Sequence, residues 1–274
     1  MVKPSKKTAF EFKRLKQSGS LVSKLVCVTA YDYLFAKLLD PEVDMILVGD
    51  SLGMVVQGHS NTLSVTLEQM IYHTQNVARG IKESHLCVDM PFMTYQVSPE
   101  EALRNAGRLV AEGGAHSVKL EGGKTISASI QKITAAGIPV LGHIGLTPQS
   151  LHQLGGYKIQ GKTETARETL IEDALAVENA GAFALVLESI PAELGQAITD
   201  KVNIPTIGIG AGPHCDGQIL VIQDLLGLNS DFKPSFVKTY ATLGATIQKA
   251  VKEFAFEVKS SQFPSKEHSF YVGS

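Results

Sequence analysis

The sequence is poor in cysteine and has no long apolar run. Its three cysteines, Cys27, Cys87 and Cys215, form an odd set without CxxC spacing, so they indicate neither a zinc site nor a disulfide framework. No apolar run approaches the roughly 18 residues of a membrane span, and residues 1–7 lack the apolar core of a secretory signal. We therefore expect a cytoplasmic protein with no membrane partner.

The sequence also lacks an excess of charge of either sign. It has 25 Lys and Arg residues against 27 Asp and Glu residues, a formal net charge of −2 over 274 residues. Basic residues cluster only in residues 3–16, and so short a run is typical of a solvated terminal helix rather than of a nucleic-acid surface. We predict no nucleic-acid partner. The hydrophobic share of 44% is enough for a sizeable core.

What the sequence does contain is a series of eight apolar runs separated by helical segments. These runs are continuously apolar rather than alternating, which is typical of parallel strands covered on both faces. They span residues 25–30, 44–50, 85–90, 116–122, 138–145, 183–189, 204–212 and 217–224. Because no Gly-, Pro- or Ser-rich linker divides the series, it predicts a closed (β/α)8 TIM barrel as one domain over residues 1–274. An open doubly wound sheet is the alternative.

Helical patterns also fall at both ends of the chain. Between the third and fourth predicted strands, a capping-box spacing begins the predicted helix over residues 98–112. Residues 1–20 are predicted as an N-terminal helical extension that closes the barrel bottom. Residues 235–256 carry an apolar stripe that begins at Tyr240, which suits either the last barrel helix or a contact with another subunit. Residues 257–274 are predicted to be an extended polar tail.

Four acidic side chains stand at the ends of four apolar runs, at Asp50, Asp89, Glu121 and Glu188. A carboxylate at the end of an apolar strand is costly to bury, and the C-terminal ends of barrel strands meet at one mouth. Helix N-capping is the alternative role; it is weak for the first three acids and stays open for Glu188. The pattern predicts an acidic mouth suited to Mg²⁺ and to proton abstraction.

Lys119 and His143 are the other candidates near the strand ends. Lys119 lies two residues before Glu121, on the same face of its strand. It could form an ion pair with that glutamate, meet the charge of a substrate carboxylate or enolate, or act as a Schiff-base lysine, which flanking acids would oppose. A lone strand histidine such as His143 is more often a core residue. The glycine-rich residues 208–212 suit either a phosphate site or a tight turn.

Several segments taken together closely resemble one enzyme family. They are GDSLGMVVQGH (49–59), DMPFMTY (89–95), KLEGG (119–123), GHIGLTPQS (142–150) and TIGIGAG (206–212). In this combination and order they resemble ketopantoate hydroxymethyltransferase. The resemblance implies a barrel of the phosphoenolpyruvate/pyruvate type and a Mg²⁺-dependent, class II aldolase-like transferase of pantothenate and coenzyme A biosynthesis. The expected reaction moves a hydroxymethyl group from 5,10-methylenetetrahydrofolate to 3-methyl-2-oxobutanoate, giving 2-dehydropantoate.

The resemblance also implies roles for individual residues. The family's magnesium ligands correspond to Asp50, Asp89 and Glu121, and its proton acceptor to Glu188. Substrate contacts are implied for Asp50, Ser51, Asp89, Lys119 and His143. Members of the family are homodecamers, so a homo-oligomer is expected.

The implied chemistry agrees with the acidic mouth. A 2-oxo acid can chelate Mg²⁺ through its keto and carboxylate oxygens, and the metal then stabilises the enolate formed when the C3 proton leaves. Two other functions remain open at this point. One is another Mg²⁺-dependent lyase or mutase of the phosphoenolpyruvate/pyruvate type, and the other is a metabolite-binding barrel without catalysis.

Overall fold

Eight parallel strands form a closed barrel in which each strand pairs with the next one along the chain and the last pairs with the first. This computed structural model describes residues 7–17, 23–228 and 234–272. The strands are β1 (Leu25–Thr29), β2 (Met45–Val48), β3 (His85–Asp89), β4 (Ser117–Glu121), β5 (Val140–Gly145), β6 (Ala184–Glu188), β7 (Thr206–Ile209) and β8 (Gly217–Leu220). The predicted TIM barrel is confirmed, and the open doubly wound sheet is wrong.

Helices connect most of these strands, and others precede the first strand or follow the last. The α-helices of the described residues are α1 (Ala9–Gln17), α2 (Tyr33–Leu39), α3 (Leu52–Val55), α4 (Leu67–Gly80), α5 (Pro99–Ala111), α6 (Ser127–Ala135), α7 (Leu151–Leu154), α8 (Glu164–Asn179), α9 (Ala192–Lys201), α10 (Ile222–Leu225) and α11 (Leu243–Lys259). Ser98 accepts a hydrogen bond from the backbone N–H of Glu101 at the start of α5, as the capping pattern predicts.

The strand sequences explain the barrel core. One buried cluster contains residues that lie two positions apart on the same strand, such as Leu25 with Cys27 and Met45 with Leu47. Side chains two apart on a strand point to the same face, so this set fills the barrel interior. The intervening side chains, such as Ile46, are buried as well. Burial on both faces is what the continuously apolar runs predict.

Helix α1 covers the bottom of the barrel, at the N-terminal ends of the strands. Phe12 on α1 is 2% exposed and belongs to the same buried cluster as the strand residues. Its ring centroid lies 5.6 Å from that of His85, the first residue of β3, and 6.1 Å from that of Phe183, which precedes β6. The predicted closure of the bottom by the N-terminal helix is confirmed for residues 9–17. Residues 1–6 and 18–20 of the predicted extension lie outside the described residues.

The chain divides into two compact units, Met1–Val221 and Ile222–Ser274, and all eight strands lie in the first. In the second unit, the helix predicted over 235–256 begins only at Leu243, so Tyr240 is not part of its stripe. The one-domain assignment stays a prediction.

The tail is not extended throughout, which corrects the expectation for residues 257–274. Helix α11 continues to Lys259, and a short 3₁₀ helix spans Lys266–His268. Between them Phe263 turns back, so that its ring lies 5.4 Å from that of Phe254 on α11. Across the described ranges, no helix has both the length and the apolar character needed to cross a membrane.

Candidate active site

The predicted site residues come together at the C-terminal end of the barrel, called the mouth below. Asp89, Glu121 and Glu188 are the last residues of β3, β4 and β6, and Asp50 follows β2 by two positions. Strand register sets the neighbours, since Asp89 is paired with Lys119 on β4. In the same way Glu121 is paired with His143 on β5. Asp50, Asp89, Lys119, Glu121 and His143 are all buried.

Lys119 lies among the acids of the mouth. Its Nζ is 2.8 Å from Asp89 Oδ1 and 3.6 Å from Glu121 Oε1. Burial opposes its charge, but the carboxylates of Asp89, Glu121 and Asp50 prevail and raise the pKa of the ammonium. The side chain is therefore a fixed cation. A Schiff-base role, which needs a neutral amine, does not fit this environment.

His143 bridges two acids rather than filling an apolar core. Its Nδ1 is 3.4 Å from Glu121 Oε1 and 3.3 Å from Lys119 Nζ, and its Nε2 is 3.2 Å from Glu188 Oε2. Burial and Lys119 disfavour the imidazolium, but the interactions with Glu121 and Glu188 outweigh them and raise the pKa to about 9. His143 therefore lies among charged side chains of the mouth rather than in the apolar core.

Negative charge exceeds positive charge in this cluster. Four carboxylates, those of Asp50, Asp89, Glu121 and Glu188, face Lys119 and His143. Burial, followed by the neighbouring Asp89 and Glu121, raises the pKa of Asp50 well above its ordinary value in spite of Lys119. A buried carboxylate that resists ionisation in the free protein is suited to a further cation, which would relieve the repulsion.

Asp50 and Asp89 supply a donor set that fits Mg²⁺. The backbone N–H of Asp50 donates to Asp89 Oδ2 at 2.9 Å, which brings the two side chains together. Asp89 Oδ1 is buried, and its near neighbour is Lys119 Nζ at 2.8 Å, which does not form an aligned hydrogen bond with it. Within residues 7–17, 23–228 and 234–272, no three His, Cys, Asp or Glu side chains are arranged to hold a metal unaided. Mg²⁺ does not require three, because it usually binds one or two carboxylates and completes its shell with water and substrate oxygens.

Ser51 occupies the edge of the mouth beside an aromatic residue that the sequence did not single out. Ser51 Oγ is 2.8 Å from the hydroxyl oxygen of this aromatic residue, Tyr31, which follows β1. Burial raises the pKa of Tyr31, so its hydroxyl stays protonated. Tyr157 was also missed: its hydroxyl reaches Met54 Sδ at 3.4 Å, which joins the loop after β5 to α3. A tyrosine directly after a strand end was the available signal for Tyr31.

Gln149 is the third residue that the sequence did not reveal. It lies in the 3₁₀ turn Pro148–Ser150 after β5 and is buried. Its side-chain amide donates to Asp50 Oδ2 at 2.9 Å, and its backbone N–H donates to Glu121 Oε2 at 3.0 Å. A polar residue in a turn directly after a strand end was the only sequence signal.

Glycines fix the backbone around the sixth strand. Gly145, opposite Glu188 in the ladder, has φ +96°, and a Cβ there would lie 2.3 Å from the carbonyl oxygen of Glu188. Only glycine allows this approach. Gly212, at the end of the glycine-rich segment, has φ +83°, and a Cβ there would lie 2.5 Å from Ala192 Cβ on α9. The tight-turn interpretation of residues 208–212 accounts for this packing.

Comparison with known proteins identifies a family. The family model described as ketopantoate hydroxymethyltransferase matches residues 6–266. A 3-methyl-2-oxobutanoate hydroxymethyltransferase of Pelobacter propionicus is 58% identical over 248 residues, which is 90% of this chain and 92% of that protein. A protein of the same name from Syntrophus aciditrophicus is 53% identical over 269 residues, which is 98% of each chain.

Solved structures with lower sequence identity share the fold. A phosphonopyruvate hydrolase in complex with oxalate and Mg²⁺ has a TM-score of 0.61 at 14% identity, over 96% of this chain and 93% of that one. A 2,3-dimethylmalate lyase, described as a member of the PEP mutase/isocitrate lyase superfamily, has a TM-score of 0.59 at 19% identity. That match covers 95% of this chain and 91% of the lyase. These two likenesses support the barrel fold.

Proposed function

The chain belongs to the ketopantoate hydroxymethyltransferase family, and from that premise we propose how its mouth forms 2-dehydropantoate from 3-methyl-2-oxobutanoate and 5,10-methylenetetrahydrofolate. The chain is a hydroxymethyltransferase, an enzyme of the transferase class. The observation that carries the proposed mechanism is the position of His143 between Glu121 and Glu188. It joins the metal-side acids to a carboxylate at the opposite edge of the cluster.

The carboxylate and keto oxygens of the oxo acid require positive charge and hydrogen-bond donors. Lys119 is a buried cation, and its electrostatic effect is strong because little water screens it. The hydroxyls of Ser51 and Tyr31 form a donor pair at the edge of the same site. We assign Lys119 and Ser51 to the substrate's negative oxygens, and Tyr31 to holding the Ser51 hydroxyl.

Asp50 and Asp89 would hold Mg²⁺, and Glu121 would complete the acidic side of the site. A divalent cation bound there supplies Lewis-acid polarisation of the 2-oxo group and stabilises the negative charge that develops when the C3 proton leaves. The excess of carboxylates over cations in the free protein supports this assignment. The third ligand, Glu121, stays a prediction, because its oxygens already contact Lys119, His143 and Gln149.

Glu188 is the residue best placed to accept the C3 proton. Its side chain is 16% exposed, so it can reach a ligand in the mouth, whereas the other three acids are buried. His143 Nε2 lies 3.2 Å from Glu188 Oε2, which places a polar ring beside this carboxylate. A carboxylate within reach of an acidic C–H of a bound ligand can act as its general base.

The one-carbon transfer completes the reaction. The C3 carbon that has lost its proton forms a bond to the methylene carbon of the folate, and the two bonds from that carbon to the folate nitrogens break. Water supplies the hydroxyl group, and the C3 proton and the second proton of water pass to the two nitrogens of the departing tetrahydrofolate. Tyr157, on the loop after β5, is 48% exposed. Burial raises its pKa, and the carboxylates of Glu188, Asp50 and Glu121 raise it further, so its hydroxyl lies near these acids. It marks the solvent side of the mouth, where a large co-substrate could enter.

The alternative of another Mg²⁺-dependent lyase or mutase has weaker support. Proteins that share such activities match at 14–19% identity, which reports on the fold alone. Relatives with the transferase name match at 52–58% over nearly the whole chain. The homodecamer and the cytoplasmic location stay predictions.

The experiment that tests the proposal is a two-substrate assay with product identification by mass spectrometry. The purified protein is given 3-methyl-2-oxobutanoate, 5,10-methylenetetrahydrofolate and Mg²⁺. We expect 2-dehydropantoate and tetrahydrofolate in equal amounts, and neither product when either substrate is omitted. Turnover of the oxo acid to a different product would replace the transferase with another reaction of the same mouth.

A further inference from the structure

Gln149 makes an unusual number of contacts for a single buried amide. Its Nε2 donates to Asp50 Oδ2 and to the carbonyl oxygen of Met90, both at 2.9 Å. Its Oε1 accepts from Tyr95 Oη at 2.7 Å and from Gln96 Nε2 at 3.1 Å. Two amide protons and two lone pairs are all that a glutamine side chain offers, so its hydrogen-bonding capacity is fully used.

The chemistry of these partners allows only one orientation of the amide. A carbonyl oxygen accepts but does not donate, so Met90 requires the NH₂ group on its side. Gln96 Nε2 donates but does not accept, so it requires the oxygen on the other side. Rotation of the amide by half a turn would set donors against donors and acceptors against acceptors. The N–H directed at Asp50 is therefore fixed by groups outside the acidic cluster.

The backbone of Gln149 forms a hydrogen bond with a second acid, Glu121. Its N–H donates to Glu121 Oε2 at 3.0 Å, while Glu121 Oε1 remains directed towards Lys119 and His143. Tyr95 strengthens the connection, because its hydroxyl accepts the backbone N–H of Glu121 at 3.1 Å. One short turn thus holds carboxylates that come from two different strand ends.

We propose that Gln149 is a positioning residue: its amide fixes Oδ2 of Asp50 so that Oδ1 faces the divalent cation, and its backbone N–H fixes Oε2 of Glu121 so that Oε1 stays beside Lys119 and His143. This inference rests on the proposed function, since it assigns the other oxygen of Asp50 to that cation. The oxygens that Gln149 takes are Oδ2 of Asp50 and Oε2 of Glu121. Partners of this kind orient ligands, and their removal typically lowers metal affinity or activity about 10- to 100-fold.

The test is a direct titration with Mn²⁺, with and without 3-methyl-2-oxobutanoate. Electron paramagnetic resonance measures the concentration of the free ion at each point. Gln149→Met keeps the length of the side chain and the backbone bond to Glu121 but removes the amide. We expect its Mn²⁺ dissociation constant to rise about tenfold or more. Gln149→Asn keeps a buried amide that is one methylene too short to reach Asp50. We expect the same weakening, so a folding defect specific to methionine does not decide the result.

Gln96→Met is the matched control. It removes a hydrogen bond to the same amide, at Oε1, but leaves the bond from Gln149 to Asp50 in place. We expect its Mn²⁺ affinity to stay within about twofold of the wild type, because Tyr95 Oη and the carbonyl oxygen of Met90 still orient the Gln149 amide. Melting temperatures without metal are measured for all variants. A purely structural glutamine would lower those temperatures and leave Mn²⁺ affinity unchanged, and that result would overturn the inference.

The outcomes separate this inference from the function on which it rests. If the wild type binds Mn²⁺ and both Gln149 variants bind it equally well, the positioning role is wrong and the proposed function stands. If the folded wild type binds no Mn²⁺ even with the oxo acid, the metal assignment of Asp50 and Asp89 fails and the inference fails with it.

Discussion

His143 Nε2 lies 3.2 Å from Glu188 Oε2, and this contact joins the end of β5 to the end of β6. Because the other ring nitrogen faces Glu121, the imidazole ring separates an acid suited to the metal from an acid suited to proton transfer. Carboxylates of the same type thereby acquire different environments. Glu188 is partly open to a ligand, and Glu121 is closed in by its neighbours.

The first prediction concerns the base. Glu188→Gln removes the proton acceptor with little change in size, so exchange of the C3 proton of 3-methyl-2-oxobutanoate should slow about 10²- to 10⁴-fold. Binding of the oxo acid should persist, since Lys119 and Ser51 remain. Proton NMR gives the exchange rate and calorimetry gives the dissociation constant. Glu193→Gln, an exposed glutamate at the start of α9, is the control and should exchange normally. Unchanged exchange in Glu188→Gln would remove Glu188 from the base role.

The second prediction concerns the buried cation. Lys119→Met leaves Asp89 and Glu121 buried without their nearest positive charge. Breaking a buried ion pair in this way typically lowers the free energy of unfolding by about 3–5 kcal/mol. Denaturant titration in the presence of chelator measures it. Lys132→Met breaks an exposed pair with Glu100 and should change stability little. Equal effects of the two substitutions would contradict the account of Lys119.

The third prediction concerns the barrel bottom, where two phenylalanines of α1 have opposite environments. Phe12 is 2% exposed and Phe10 is 75% exposed. Phe12→Ala should lower the free energy of unfolding by about 3–5 kcal/mol, because it opens a cavity under the strands. Phe10→Ala should stay within about 0.5 kcal/mol of the wild type. Denaturant titration compares them, and similar losses for both would show that α1 does not close the barrel in solution.

The fourth prediction concerns acid sensitivity. His85 is a neutral buried residue: Nδ1 donates to the carbonyl oxygen of Lys7 at 3.2 Å, and Nε2 accepts from Ser117 Oγ at 2.8 Å. Burial, followed by the neighbouring His116, lowers its pKa from 6.5 to about 4. Between these two pH values the unfolded chain binds a proton that the folded chain does not. The stability that His85 contributes is therefore complete above about pH 6.5 and is lost as the pH drops towards 4, by about 3 kcal/mol in all.

Measured unfolding free energies at several pH values test this linkage. His85→Gln lacks the titrating ring, so its stability should fall less steeply than that of the wild type between about pH 6.5 and 4. His59→Gln, at an exposed position, should keep the wild-type slope. Parallel slopes for the wild type and His85→Gln would contradict the neutral state of His85.

The barrel and the acids could be predicted from the sequence for a common physical reason. Parallel strands covered by helices need apolar residues on both faces, so each strand is visible as an unbroken run. A carboxylate at the end of such a run, such as Asp89 or Glu121, stands out because it is costly to bury. The ladder register then brings these ends to one mouth, which makes local sequence sufficient.

The contacts of Gln149 could not be predicted in that way. Asp50 lies 99 residues away in sequence and Met90 lies 59 residues away, so their meeting depends on three loops at once. A turn residue carries no periodicity that would indicate burial. The prediction of an extended tail was wrong for a related reason. Phe263 packs on Phe254, and a single aromatic residue in a polar segment does not indicate such a contact.

The most direct test of the central claim is exchange of the C3 proton of 3-methyl-2-oxobutanoate in D₂O without any folate. The central claim is that the mouth removes this proton with the help of a divalent cation beside Asp50 and Asp89. We predict that the wild-type protein with Mg²⁺ exchanges the proton rapidly in proton NMR spectra. Excess chelator should reduce exchange to the uncatalysed rate, and restored Mg²⁺ should recover it. Full exchange in excess chelator, or no exchange with Mg²⁺ present, would contradict the account.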